Sequence, residues 1–512
     1  MILSCLPSSA ALPKRPKMVV VIVIDQFRYD YLNRFRAEYH GGLARLLDQG
    51  SVFTNARYDQ FPTVTAVGHS IIMTGADPAV SGIVGNSWYS REERRMVTSV
   101  CDDSQETIGT AVPAPKHASS DDCTDASPAS PNRLLVDTVG DELRAVSNES
   151  RVIGISLKPR SAILPAGHSA TGAYWFDESG VFVTSSFYAK ELPEWAATFN
   201  AGRPADRYAG GEWMGNRFPT AGADLYRAIP ASPWGNELIE QFAESAIRGE
   251  RLGQRGVTDL LTISFSSNDY VGHRVGPDDP AVRDMAIRTD QLVNRLFEFI
   301  AGQGIGMQNV VFVLSADHGV VPLPETSLER KIPAGRMSPG QLSVAVKQAL
   351  AAKFGPGEWL IEKPVEHVLY LNRDLIQARH LESAEVERVA AAALLAKPYV
   401  FRVYTRTQLS NGITGDRIAR AVQNGFNMKR GGDVFVLLDP GWIFSMGGTN
   451  HGTPFNYDTH VPVIFMGPGI RTGRFDGNVS VTDVAPTLAT MLGVEMPSGS
   501  EGRTLFEIFQ EN

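Results

Sequence analysis

The chain has 512 residues, enough to bury a large core, so either one large domain with insertions or two domains are expected. Its formal net charge of −8 argues against a nucleic-acid-binding surface, because phosphate contacts normally require a basic face. Its composition, 43% hydrophobic and 20% charged, is that of an ordinary globular protein, and no apolar run has the roughly 18 residues of a transmembrane segment.

The first residues, 1–17, hold no periodic pattern and are predicted to form an N-terminal tail. They contain small residues but lack the charged start and the long apolar centre of a complete signal peptide. The stretch Ile2–Cys5 is faintly similar to a lipoprotein cleavage box, so a truncated export signal is the alternative interpretation.

Short apolar runs that end at polar residues recur along the chain, and each is predicted to be a strand. In chain order they are Val19–Ile24 before Asp25, Val152–Leu157 before Lys158 and Arg160, Leu260–Phe265 before Asp269, and Val310–Leu314 before Asp317 and His318. Continuous apolar runs are typical of strands buried on both faces of a parallel sheet. Helical patterns lie between them, at Gly42–Gln49, Asn132–Val146 and Ala281–Ile300.

The predicted fold is therefore α/β, with a mostly parallel central sheet flanked by helices. In such sheets the ligand site lies beyond the carboxyl ends of the strands, where all these polar residues are found. Two stretches are predicted to be additions: a Ser/Asp/Pro-rich loop insertion at about 87–130 and an inserted α+β subdomain at 321–440. The core then comprises 18–320 and 441–512.

Two of the three cysteines, Cys101 and Cys123, bracket the Ser/Asp/Pro-rich stretch. In an exported protein they could form a disulfide that closes this loop. Two unrelated free thiols are an equally good interpretation.

The polar residues at the strand ends are typical of metal ligands. Asp269 and His273 are four residues apart, so they face the same way on a helix. Asp317 and His318 follow a strand, and beyond its end both side chains can reach one ion. Asp25 ends another apolar strand, where a lone carboxylate is costly unless it is paired or metal-bound. Taken alone, Asp269 and His273 are a weak sign of a metal site, and Asp317 and His318 would be interpreted as a polar turn.

A histidine near the C-terminus completes this set. His451 stands in a Gly-rich loop, and His460, just before the apolar run Val461–Met466, is the competing candidate. Nitrogen and oxygen ligands without thiolate suit Zn²⁺, and two ions are a plausible number. Two metals roughly 4 Å apart can hold the attacking and leaving oxygens of a phosphoryl transfer.

The stretch FPTVTAVGHS, residues 61–70, places two threonines ahead of an apolar helical run. A threonine hydroxyl is a poor nucleophile unless a metal lowers its pKa. Thr65 stands at a predicted helix N-terminus, which favours an anion. Without the metal ligands, Thr63 or Thr65 would simply be an N-cap. The metal set favours Thr65 as a nucleophile, with Thr63 supporting the loop and His69 structural.

The motifs, in chain order, resemble the alkaline phosphatase superfamily. They are Asp25, PTVTAVGHS, GIVGN, SLKPRSAILPAG, SSNDYVGHRVGP, SADHG and NHGTPFNYDTHVP. Within that superfamily the match is to bacterial alkaline phosphatases with a threonine nucleophile, relatives of the nucleotide pyrophosphatase/phosphodiesterases. The resemblance runs from about Val19 to Pro486, and the complete ordered set is highly specific.

The resemblance implies an alkaline-phosphatase-like fold and two Zn²⁺ per subunit. It implies that Thr65 is the nucleophile and forms a phosphothreonine intermediate. One zinc would be held by Asp25, Thr65, Asp317 and His318, and the other by Asp269, His273 and, in preference to His460, His451.

The resemblance also implies how the substrate is held. Asn86 would donate to a phosphoryl oxygen, and Lys158 and Arg160 would contact the remaining oxygens. Because two cations favour a dianion, the expected substrates are small-molecule phosphate monoesters, with phosphodiesters as the alternative. A sulfatase, or a non-catalytic protein on a decayed phosphatase fold, fits less well. The expected location is periplasmic or secreted.

Overall fold

The computed structural model describes residues 15–110, 127–361, 365 and 367–509. Outside these ranges lie most of the predicted tail, with the stretch Ile2–Cys5, and Cys123. Cys101 takes part in a disulfide, so the interpretation as two free thiols is wrong for this residue. That its partner is Cys123 remains a prediction, since Cys123 is not described.

The centre of the protein is a sheet to which the described residues contribute ten strands. In chain order these are Met18–Ile24 (β1), Ser51–Phe53 (β2), Thr107–Ile108 (β3), Val152–Ser156 (β4), Gly172–Phe176 (β5), Phe182–Ser185 (β6), Asp259–Phe265 (β7), Val310–Ser315 (β8), Val463–Met466 (β9) and Gly473–Phe475 (β10). Their spatial order is β10-β2-β9-β8-β1-β7-β4-β5-β6-β3. The five strands β8-β1-β7-β4-β5 run parallel, which confirms the predicted mostly parallel α/β fold.

Helices cover the sheet. Within the described residues, those of at least eight residues are Gly42–Gln49 (α1), Thr65–Thr74 (α2), Val139–Val146 (α3), Pro159–Ala166 (α4), Glu194–Ala201 (α5), Pro233–Gly249 (α6), Ser267–Val275 (α7), Pro280–Gly302 (α8), Pro339–Phe354 (α9), Ser383–Leu395 (α10), Arg417–Asn424 (α11) and Val484–Leu492 (α12). Shorter ones are Tyr29–Arg34, Pro78–Ser81, Gly222–Ala228, Pro324–Glu329, Arg373–Ala378, Arg406–Ser410 and Asn456–Thr459.

Two predicted helices are confirmed, and the start of a third is wrong. Helix α1 has the predicted bounds, and α8 extends the predicted Ala281–Ile300 by one residue at its start and two at its end. The pattern over Asn132–Val146, however, becomes helical only at Val139. Thr138 and Asp141 form a capping box there, which satisfies the free amides of the first turn and fixes the start of the helix.

The core is built around the parallel strands. All seven residues of β1 are at most 1% exposed, as expected for a strand covered on both faces. Burying each such Val or Ile side chain contributes about 1.5–3 kcal/mol, so the sheet is a stiff support for the residues that follow its strands.

The segment between β8 and β9 contains a sheet of its own. Three antiparallel strands, Val368–Leu369, Val434–Leu438 and Val400–Thr405, pack against α9 and α10 around an apolar cluster separate from the main core. A hairpin of Ser87–Ser90 and Arg95–Thr98 lies in the predicted loop insertion. The boundaries 321–440 and 87–130 stay predictions.

Three further two-stranded pairings are short: Ala56–Arg57 with Val479–Ser480, Glu212–Trp213 with Asn216–Arg217, and Gly335–Arg336 with Trp442–Ile443. Over the described ranges, none of the helices combines the length and the apolar character needed to cross a bilayer.

Candidate metal centre and nucleophile

The candidate site lies at the carboxyl edge of the parallel sheet. Consecutive parallel strands present their ends at the same edge, so residues far apart in sequence meet there. The residues that follow the strands are Asp25 after β1, Lys158 after β4, Asp269 in α7 after β7, and Asp317 and His318 after β8.

The first group of potential ligands consists of Asp25, Asp317 and His318, whose ligand atoms lie within 4.8 Å of one another. All three residues are fully buried. His318 Nε2 is 3.5 Å from Asp25 Oδ1 and 3.4 Å from Asp317 Oδ2. Asp317 Oδ1 accepts hydrogen bonds from the backbone amides of Gln26 and His318, which fixes the carboxylate.

The second group consists of Asp269, His273 and His451, again within 4.8 Å of one another. His273 Nε2 is 3.1 Å and His451 Nε2 is 3.8 Å from Asp269 Oδ1. The two groups are adjacent, because the rings of His318 and His451 stack with centroids 3.5 Å apart.

Each of the three histidines is oriented in the same way. His273 Nδ1 pairs with the Thr449 carbonyl at 2.9 Å, and His318 and His451 pair likewise with the carbonyls of Gly319 and Thr63. Because a carbonyl only accepts, every Nδ1 carries a proton, which leaves Nε2 as the atom through which each neutral ring can bind a metal. A backbone carbonyl that holds Nδ1 in this way is the usual environment of metal-bound histidine.

The buried carboxylates also favour a cation. Asp25 Oδ1 and Asp317 Oδ2 have no hydrogen-bond partner among the described residues, although both are buried. Burial and the neighbouring charge of Asp317 raise the pKa of the Asp25 carboxyl well above its usual range. The two oxygens without a hydrogen-bond partner thus fit a metal ion in the first group, and the nitrogen and oxygen donors of the second group fit one there.

Lys158 lies between the two groups. Its Nζ is 2.6 Å from both Asp25 Oδ2 and Asp269 Oδ2 and 5.0 Å from the centre of the Tyr270 ring, and the residue is 2% exposed. Burial acts to lower the pKa of Lys158, but the two carboxylates outweigh burial and raise it. The ammonium therefore bridges the two groups.

Thr65 is the first residue of α2, and its N-cap is Val64, which has no side-chain capping bond. The interpretation of Thr63 or Thr65 as an N-cap is therefore wrong. Thr63 Oγ1 instead donates to the Thr453 carbonyl at 2.8 Å, within the loop. Thr65 Oγ1 lies 3.4 Å from His318 Nε2, beside the first group.

Two other predicted substrate-binding residues, Asn86 and Arg160, are also described. Asn86 Oδ1 accepts from the Ala66 amide at 2.9 Å, which leaves its amide nitrogen to donate elsewhere. Arg160 is the second residue of α4, and its Nε is buried without a hydrogen-bond partner among the described residues.

The remaining two histidines of the motifs have different surroundings. His69 Nδ1 bonds the Thr65 carbonyl at 2.9 Å and lies 3.2 Å from Asp317 Oδ2, and its Nε2 contacts Ser264 Oγ at 2.8 Å. It connects the helix of Thr65 to the first group. His460 belongs to neither group, since its Nε2 contacts the Thr54 carbonyl and its ring stacks on Tyr29.

Gln26 is a site residue that the sequence patterns do not reveal. Its backbone has a φ of 62°, in the left-handed region, which is uncommon for a residue other than glycine. Its Nε2 donates to Asp269 Oδ1 at 2.6 Å while its backbone amide donates to Asp317 Oδ1 at 3.0 Å. One residue thereby positions a carboxylate of each group, and its only sequence signal is its place next to Asp25.

Comparison with known proteins extends over nearly the whole chain. The family model for type I phosphodiesterase / nucleotide pyrophosphatase matches residues 19–461. The chain is 34% identical over 530 residues to alkaline phosphatase PafA of Elizabethkingia meningoseptica, which covers 96% of this chain and 94% of that protein. It is also 34% identical over 533 residues to alkaline phosphatase PhoV of Synechococcus elongatus, and this alignment covers 97% of this chain and 93% of PhoV. The crystal structure of wild-type PafA superposes with a TM-score of 0.88 at 33% identity, covering 97% of this chain and 99% of that one.

Proposed function

This chain belongs to the type I phosphodiesterase / nucleotide pyrophosphatase family, and from that premise we propose that it is a two-zinc alkaline phosphatase that hydrolyses phosphate monoesters through a phosphothreonine at Thr65. The observation that carries the proposal is the position of the Thr65 hydroxyl. It lies beside one group of metal-ligand residues, and the stacked rings of His318 and His451 join that group to a second one.

The two groups supply suitable zinc ligands. Asp25, Thr65, Asp317 and His318 would hold one ion, and Asp269, His273 and His451 the other. Their donors are nitrogen and oxygen only, with each imidazole Nε2 available for a metal. Bound zinc ions would lower the pKa of a hydroxyl and stabilise charge on the leaving oxygen.

The reaction then proceeds in two displacements at phosphorus. Thr65 Oγ1 attacks in line and its proton passes to solvent. The bond from phosphorus to the ester oxygen breaks, and this oxygen takes up a proton from solvent as the alcohol leaves. Water then attacks the phosphothreonine, which releases inorganic phosphate and restores the hydroxyl. The start of α2 favours the anionic group through the positive end of the helix dipole.

Three side chains favour a phosphoryl dianion. The amide nitrogen of Asn86 donates to one oxygen, and Lys158 and Arg160 supply positive charge to the others. A phosphate monoester carries close to two negative charges and a diester carries one. The two cations, Lys158 and Arg160, therefore favour monoesters. The unpartnered Nε of Arg160 supports this role, because a buried guanidinium nitrogen requires an acceptor.

Comparing p-nitrophenyl phosphate with bis-p-nitrophenyl phosphate tests the proposal. The enzyme should prefer the monoester, and Arg160→Ala should lower kcat/KM for the monoester by about 10- to 100-fold while changing diester hydrolysis much less. Metal analysis of the same samples should find two zinc ions per chain. A diester preference that survives Lys158→Ala and Arg160→Ala would assign the chain to phosphodiester hydrolysis instead.

The proposed location is the periplasm or the exterior of the cell. The disulfide at Cys101 supports it, because such bonds persist mainly in oxidising compartments. Cell fractionation should recover the phosphatase activity outside the cytoplasm, and purely cytoplasmic activity would contradict this location.

A further inference from the structure

A cavity of about 300 Å³ opens onto the second group of metal-ligand residues. Asn86, His273 and His451, three of the predicted site residues, are among the residues that line it. The cavity therefore lies where the alcohol part of a phosphate ester would be accommodated under the proposed function.

The other residues that line this cavity are both apolar and polar. Val64, Pro339 and Phe444 contribute the apolar surface, and Asn450 and His367 contribute the polar groups. His367 comes from the segment inserted between β8 and β9, and no step of the proposed reaction uses it.

His367 is held rigidly. It is 6% exposed, and its ring packs edge-on against Phe61 and Phe444, with centroids 5.2 and 5.1 Å away. Its Nδ1 lies 3.2 Å from the Val436 carbonyl. Since a carbonyl only accepts, Nδ1 carries the proton and Nε2 presents a lone pair.

The free nitrogen of His367 faces the loop of His451. A Cβ added to Gly452, the residue after His451, would lie 3.5 Å from His367 Nε2. Within the described residues this Nε2 has no hydrogen-bond partner. Burial lowers the pKa of His367 to about 4, so at neutral pH the ring is uncharged and Nε2 acts as an acceptor.

We propose that His367 Nε2 accepts a hydrogen bond from a hydroxyl group of the leaving alcohol, which makes this cavity a subsite for phosphate esters of polyhydroxy alcohols. This inference rests on the proposed function. A neutral hydroxyl fits better than an ammonium donor, because His273 and His451 of the same cavity would hold a metal cation. An ester that lacks the hydroxyl displaces water from this acceptor without replacing its hydrogen bond.

Two matched pairs of esters test the inference: glycerol 1-phosphate against propyl phosphate, and sorbitol 6-phosphate against hexyl phosphate. The readout is kcat/KM for the hydroxylated ester divided by kcat/KM for the ester that lacks the hydroxyl groups. This ratio is compared between the wild-type enzyme and His367→Leu. A hydroxyl also alters the leaving ability of the alcohol, but equally in both enzymes, so only the change in ratio reports the contact. For at least one pair, the ratio should fall about 5- to 50-fold in His367→Leu.

Three controls keep the outcome interpretable. His367→Gln, whose amide oxygen can also accept, should restore part of the ratio. Hydrolysis of p-nitrophenyl phosphate, whose leaving group has no hydroxyl, measures how much each variant changes turnover for reasons other than the hydroxyl contact. If His367→Leu does not fold, His367→Phe, which also lacks the acceptor, replaces it.

The proposed subsite is wrong if every folded His367 variant keeps this ratio within twofold of the wild-type value for both pairs of esters. Absence of hydrolysis of any ester by the zinc-loaded enzyme would instead contradict the proposed function itself, so the two failures are distinguishable.

Discussion

Gly68→Ala tests the close packing between the helix of the proposed nucleophile and the first metal-ligand group. Gly68 is one turn after Thr65 in α2, and a Cβ at this position would lie 2.6 Å from Asp317 Cα and closer still to the Asp317 carbonyl oxygen. Carbon atoms in contact prefer about 3.5–4.0 Å, so the helix and the ligand loop must separate by about 1 Å. The Asp317 side chain cannot yield easily, because two backbone amides hold it.

Two effects of this substitution oppose each other, and their magnitudes decide the outcome. Alanine favours a helix over glycine by about 1 kcal/mol, whereas forced overpacking of a core costs about 1–3 kcal/mol. We therefore expect lower stability and, because a displacement of about 1 Å at a reacting group can cost about 100-fold, a similar fall in kcat/KM.

The assay measures kcat/KM with p-nitrophenyl phosphate, metal content and the midpoint of urea unfolding for the same preparations. Gly302→Ala is the matched control, because Gly302 is also a helical glycine, at the end of α8, but a Cβ added there would meet nothing within 4 Å. It should leave activity within twofold and stability unchanged or higher. If Gly68→Ala keeps activity within threefold of the wild-type enzyme, close packing at Asp317 does not control the position of the nucleophile.

Two other substitutions test buried charges. Lys158→Met leaves two buried carboxylates, Asp25 and Asp269, without their 2.6 Å partner. In chelator-treated protein it should cost about 3–5 kcal/mol, and zinc should restore most of this loss; an equal loss with and without zinc would contradict that account. Burial and the charge of Glu501 raise the pKa of Asp77 to about 8. The folded protein then holds a proton that the unfolded chain releases above about pH 4, so stability falls as pH rises towards 8, by at most about 1.4 kcal/mol per pH unit. Asp77→Asn should therefore gain stability over the wild-type protein as pH increases, and urea unfolding at pH 5 and pH 9 should reveal a larger gain at pH 9; a pH-independent difference would disprove it.

The sheet could be predicted because its central strands are buried on both faces. Such strands, β1 and β8 among them, require continuous apolar runs, and the polar residue after each run is therefore visible in the sequence. Parallel strand direction then brings these residues to one edge, which accounts for the placing of Asp25, Asp269 and Asp317.

The other features of the site depend on contacts between residues far apart in the sequence, which no local sequence pattern reveals. Gln26 reaches both ligand groups through a left-handed backbone and a side chain that bonds Asp269, 243 residues away. His367 reaches the cavity because its strand region pairs with Val436 in a separate sheet, so a lone histidine in an apolar stretch carries no signal. The predicted start of α3 is too early, since the capping box at Thr138 outweighs the periodicity before it.

The most direct test of the central claim is to find the covalently bound phosphate. Zinc-loaded enzyme is mixed with p-nitrophenyl phosphate, quenched in acid and digested, and the peptide that contains Thr65 is sequenced by mass spectrometry. We predict one phosphoryl group on Thr65, and a loss of turnover of about a thousandfold or more in Thr65→Ala. Phosphate on a different residue, or near-normal turnover by Thr65→Ala, would contradict the claim.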